Sequence, residues 1–139
     1  VTGRTRPADA RAPAAVAGVE VTGEVPDVAD AVYGAHAGVC PMRIGSGVQN
    51  KVLEYMALGA PTVTSPLSLQ GISATPEREI LVAHEPQAYV YQLERLFGDR
   101  ALAMRIASAA REYVVMKHSW RAQLAPLTMR LLELVGRER

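Results

Sequence analysis

Cysteine is almost absent from the 139 residues; Cys40 is the only one. A single thiol excludes an internal disulfide framework and fits a reducing compartment. No apolar run approaches the roughly 20 residues that a membrane-spanning helix needs. Neither sign of charge dominates, since 15 Lys and Arg face 14 Asp and Glu. A net charge of +1 supplies no bulk attraction to nucleic acid or to an acidic lipid surface. The histidines, His36, His84 and His118, are scattered without ligand spacing, so no metal site is expected. Two phosphate-binding signatures are lacking as well. There is no GxxxxGK[ST] loop, and Asn50 stands where GxGxxG requires its third glycine.

What is present is an ordinary globular composition, 49% apolar and 21% charged, of a size that fits one domain (1–139). The chain opens Val1-Thr2-Gly3 without an initiator methionine, so it is expected to be part of something longer. Residues 1–17 are rich in Ala, Pro and Arg and read as a loop. Alternation in "GVEVTG" (18–23) predicts a strand. Asp27 is available to cap a short helix over 28–35. Apolar runs at 37–42, 61–65 and 79–83 predict three more strands. A helix is expected from about Gly47 to Gly59, another from Pro86, and a restart at Gly98-Asp99. Leu102, Ile106, Ala109, Ala110, Tyr113 and Val114 form a helical stripe, and Ser119 caps a last helix to about Val135. Strands alternating with helices indicate an α/β fold with a parallel sheet flanked by helices. Four strands are fewer than a full doubly wound sheet has, which again suggests an upstream portion.

The chemistry concentrates in "MRIGSGVQNKVLEYMALGAPTVTS", residues 42–65. Ser46-Gly47-Val48-Gln49 matches a capping box, with the helix starting at Ser46. Gly45 and Gly47 leave bare N–H donors at a helix N-terminus, a setting that suits phosphate. Arg43 lies close in sequence, and Lys51, just over a turn into that helix, can bring its ammonium back. Glu54, three residues on, shares its face and could hold ribose hydroxyls. An alternative stays open on spacing alone: Lys51 and Glu54 also suit a solvated i,i+3 pair beside an ordinary glycine turn.

"GSGVQNKVLEYMALGAPTVTS" resembles the donor-binding segment of retaining GT-B glycosyltransferases of family four. "GVEVTGEVPDV", "SPLSLQGI" and "HSW" resemble flanking segments of that family, so the likeness spans about residues 18–120. The variant looks most like sugar transferases associated with bacterial exopolysaccharide and protein-sorting systems. The resemblance implies a Rossmann-like C-terminal half of a GT-B fold that binds a nucleoside diphosphate sugar. It implies that Glu54 holds the ribose, that the Gly47 and Val48 backbone approaches the diphosphate with Lys51 nearby, and that Val25 meets the base. Acceptor binding would fall to an amino-terminal domain, without which transfer is not expected. No cofactor or metal is implied. Ser46 replaces the family's first signature glutamate, and Gln70 stands where Glu is common, so contacts to the sugar are unassigned. A cytoplasmic protein is implied, with peripheral attachment to the inner face of the membrane an open option.

Two other functions fit the same segment: a non-catalytic nucleotide-binding or regulatory domain, and a nucleotide-sugar epimerase of GT-B fold. Away from it, Cys40 before Pro41 reads as buried packing, His84 as an exposed loop residue, and Trp120 as a core anchor at a helix start. The Met129–Val135 segment reads as an amphipathic part of the last helix.

Overall fold

The computed structural model describes residues 13–45 and 47–136. They divide between two compact units, Val1–Tyr33 and Gly34–Arg139. In the first, helix α1 (Val28–Val32) starts as its sequence predicts, with the Asp27 carboxylate accepting the Ala29 N–H at 2.7 Å. The strand expected at 18–23 does not form. Among the described residues that segment has only an isolated bridge at Gly23. Alternation marks which side chains share a face, but a strand exists only where another backbone pairs with it.

The second unit holds β1 (Gly38–Cys40), α2 (Asn50–Ala57), β2 (Thr62–Thr64), a 3-10 turn (Pro66–Leu69), β3 (Leu81–Val82), α3 (Pro86–Gly98), α4 (Arg100–His118) and α5 (Trp120–Gly136). The strands lie in the order β1-β2-β3, both pairings parallel. Gly38, Val39 and Cys40 stand opposite Thr62, Val63 and Thr64, and Val63 opposite Leu81. Alternation then splits the side chains between two faces. Cys40, Ile80 and Val82 join Val52 and Met56 of α2 and Ala110 of α4 in one cluster. Val63, Leu81 and Ala83 join Leu96 of α3 and Leu102 and Ile106 of α4 in the other. Helix α4 serves both faces. The fold class is therefore α/β, a small parallel sheet covered by helices on both sides.

Buried threonines in β2 are satisfied locally. Thr62 Oγ1 donates to the Ala60 carbonyl at 3.0 Å and Thr64 Oγ1 to the Cys40 carbonyl at 3.2 Å. The helix ends follow the sequence: Pro86 opens α3, Asp99 accepts the Leu102 N–H at 2.9 Å, and Ser119 accepts the Ala122 N–H at 3.2 Å. Trp120 departs from expectation. It is 82% exposed, because α5, which it opens, buries none of its residues from 120 to 135. Among the described residues no helix is long and apolar enough to cross a membrane.

Close packing and one clamp shape the rest. A Cβ at Gly38 would fall 2.5 Å from Tyr55 Cδ2, so β1 meets α2 without room for a side chain. Glu77 holds a left-handed φ of 64°, which costs a non-glycine residue about 1 kcal/mol or more. Its N–H donates to the Ile80 carbonyl at 2.8 Å, and its own carbonyl accepts from Arg105 at 3.2 Å. The carboxylate takes two hydrogen bonds from Arg95, at 2.9 and 2.8 Å. Hydrogen bonding by Arg95 holds the Glu77 carboxyl below its ordinary value of 4.5.

Gly38→Ala is expected to lower stability by about 1–3 kcal/mol in urea unfolding, because the new methyl overpacks against the Tyr55 ring. For Glu77 the folded pKa is depressed, so its contribution is complete above the unfolded value and fades as pH falls through the folded one. Glu77→Gln should therefore flatten the acid limb of stability against pH. The loss at neutral pH should stay below about 1 kcal/mol, since the carboxylate is half exposed and screened.

Candidate functional site

Parallel strands deliver their carboxyl ends to one edge of the sheet, where α/β folds bind ligands. Beyond β1 runs the loop 41–49 that leads into α2, and beyond β2 the 3-10 turn and Gln70-Gly71. The Cys40 carbonyl ties the two exits together. It accepts the Met42 N–H at 3.0 Å from its own loop and the Ser65 N–H at 3.2 Å from the other.

The start of α2 differs from the capping-box expectation. Gln49, not Ser46, is the N-cap, and among the described residues no side chain caps the helix. Gly47 has φ +74°, outside helical geometry, so the helix cannot begin there. The Gln49 side chain turns back instead, its Nε2 3.5 Å from the Gly47 carbonyl. Ser46 itself lies outside the described residues. This shift brings Lys51 closer to the site than the spacing suggested, since it is now the second residue of α2.

A free helix end results. Val52 and Leu53 donate to the Gln49 carbonyl at 3.0 and 3.4 Å. Among the described residues, the N–H groups of Val48, Asn50 and Lys51 donate to no acceptor. Several bare donors and the positive end of the helix dipole are what an anion requires. Arg43, Lys51 and Glu54 are all exposed, and none of them forms an ion pair with a described residue. The solvated Lys51–Glu54 pair is thus not made, which leaves a cation at the helix end and a carboxylate one turn on. Gly45 packs close to its neighbours, a Cβ there falling 3.2 Å from Met42 Cε and 3.3 Å from Gln49 Nε2. Val25 is half-buried in the first unit, ahead of α1.

Sequence reasoning overlooked the polar layer under this edge. Ser65 and Ser68 are buried with their Oγ atoms 3.1 Å apart, and Ser68 Oγ lies 3.9 Å from Cys40 Sγ. Cys40 is buried, as expected. The Tyr89 hydroxyl is also buried and has no hydrogen-bond partner among the described residues. Burial pushes that phenol up, Cys40 adds to the effect, and Ser65 opposes it. Burial likewise raises Tyr55, next to Glu54, with Cys40 and Glu54 adding. Both phenols thus stay neutral at physiological pH. The visible signal was the Ser-Pro-x-Ser spacing directly after a strand.

Comparison with known proteins decides the family. A family model described as "Glycosyl transferases group 1" matches residues 1–99, which contain the whole of this edge. The chain belongs to that family. It is a glycosyltransferase domain, and its small parallel sheet fits a Rossmann-like half of a GT-B fold. Membership in the glycosyl transferases group 1 family implies a role in glycosyl transfer and a nucleotide-sugar donor. Helices α4 and α5 lie beyond the matched residues. The remaining histidines take no part in the edge: His36 lies against the Phe97 ring at 5.5 Å, His118 Nε2 is 3.1 Å from the Tyr113 hydroxyl, and His84 is exposed.

Lys51→Met should leave stability within about 0.5 kcal/mol, as befits an exposed side chain. It should weaken pyrophosphate binding by about fivefold. Amide shifts at Val48, Asn50 and residue 51 during a pyrophosphate titration would measure both the site and the loss.

Proposed function

We propose that this domain binds the nucleoside diphosphate sugar of a retaining glycosyltransferase in polysaccharide or glycoconjugate synthesis. The whole chain, 1–139, is then the donor-binding half, and an amino-terminal domain completes the active site and binds the acceptor. The observation that carries the reading is the open start of α2, where the Val48, Asn50 and Lys51 amides meet no acceptor among the described residues and Lys51 belongs to the first turn. Developing charge on the departing nucleoside diphosphate would be met there by fixed donors and a cation. Glu54 shares a helix face with Lys51 and would accept hydrogen bonds from the ribose hydroxyls. Arg43, Gly45, Ser46 and Gly47 complete the phosphate loop in this reading.

A second reading has one observation in its favour. Ser46 replaces the first acidic residue of the family signature, which suits a domain that binds nucleotide without transferring sugar. Both readings predict nucleotide binding, and only the first predicts turnover.

Titrating the full-length protein with UDP, GDP and ADP tests the proposal. One base should bind preferentially, with shifts concentrated between Gly45 and Glu54. Glu54→Ala should weaken it about tenfold, or about 1.4 kcal/mol, the scale of a lost charge-assisted hydrogen bond. Silence toward all three at millimolar concentration would remove the donor-site reading. Binding without transfer from any sugar nucleotide of the preferred base would favour the second reading.

A further inference from the structure

Gly71 touches the start of α2 from the neighbouring loop. That loop is anchored on both sides of it. Ser68 is fully buried against Ser65, and Ile72, 4% exposed, packs with Cys40, Val52 and Met56. Between these anchors the Gln70 N–H donates to the Leu67 carbonyl at 3.2 Å and the Ile72 N–H to the Leu69 carbonyl at 2.9 Å. Gly71 sits in the gap with φ +83°. A Cβ on it would fall 2.9 Å from Val48 Cγ2, 3.5 Å from the Val48 nitrogen and 3.6 Å from its Cα. The Val48 side chain is 47% exposed, but its backbone leads straight into α2, where Val52, one helical turn on, is fully buried.

We propose that Gly71 is a positioning residue for the anion site. Its lack of a side chain lets the loop after β2 lie directly on Val48, and this contact holds the Val48 amide and the first turn of α2 in line for a diphosphate. The proposal rests on the nucleotide-sugar reading given above and adds a residue from the second loop to it. Left-handed glycine geometry alone does not explain the contact. Gly59 has φ +75° as well, and nothing lies within 4 Å of a Cβ built there.

The test uses the full-length protein with Gly71→Ala, Val48→Ala, the double variant, and Gly59→Ala as a strain-only control. Without ligand, Gly71→Ala should move the Asn50 and Lys51 amide resonances. With the nucleotide that the wild type prefers among UDP, GDP and ADP, its affinity should fall about tenfold, the scale expected when preorganised donors are displaced. Val48→Ala, which opens the contact without straining residue 71, should lower affinity severalfold. In the double variant the new methyl refills the space vacated at Val48, so affinity should recover while the melting temperature stays near that of Gly71→Ala. Gly59→Ala should lose stability and keep its affinity.

Additive effects of the two substitutions, or unmoved amides in Gly71→Ala, would overturn the proposal with wild-type nucleotide binding intact. If Gly71→Ala does not fold, Val48→Ala decides, and unchanged amides and affinity there overturn it. Failure of the wild type to bind any of the three nucleotides would instead remove the donor-site reading, and this proposal with it.

Discussion

Parallel pairing of β1 with β2 places the ends of both strands at one edge and obliges each chain to leave there. The Cys40 carbonyl, accepting from Met42 on one loop and Ser65 on the other, holds the two exits side by side. The arrangement of both loops depends on that constraint. An antiparallel pair would return the chain at once through a hairpin and leave no paired loops above the sheet. Here each exit feeds a crossover; α2, in the first of them, covers one face that the strand alternation creates, and α3 and α4, which follow β3, cover the other, α4 reaching both.

The edge so formed is polar for two separate reasons. Among the described residues, backbone amides at the start of α2 find no acceptors, since Gly47 bends the chain out of helical geometry and Gln49 supplies no cap. Beneath them, Ser65, Ser68 and Cys40 are buried together, so the floor of the edge carries hydroxyl and thiol groups where aliphatic side chains would otherwise pack. A stabilised, fully capped helix would be the better structural element. Under the proposed reading, the end of α2 left open among the described residues is the place for an anion.

Most element positions were legible from local chemistry. Asp27, Asp99 and Ser119 cap helices because their short side chains reach the first free amides, and Pro86 needs no amide partner at the helix start it occupies. The three apolar runs that became strands are each flanked by sequence that forces a turn. The readings that failed depended on what lies across from a residue. "GVEVTG" alternates correctly but lacks a ladder among the described residues, and Trp120 has the composition of an anchor but starts a helix with no buried face. The capping box at Ser46-Gln49 matched by spacing, yet the left-handed Gly47 between them moved the helix start to Asn50.

By itself the sequence determined the fold class and the caps at Asp27, Asp99 and Ser119, because propensity, alternation and capping are set by neighbours within a few positions. Tertiary structure alone decided where α2 begins, whether Lys51 and Glu54 pair with each other, and which residues of the second loop reach the first. Gly71 and Val48 are 23 positions apart, Gly71 within the connection from β2 to β3 and Val48 near the end of the loop from β1 to α2. Only the parallel register of the strands beneath them brings Gly71 beside Val48, so close that a side chain at 71 would meet the Val48 Cγ2 methyl, and no periodicity within either segment encodes that meeting.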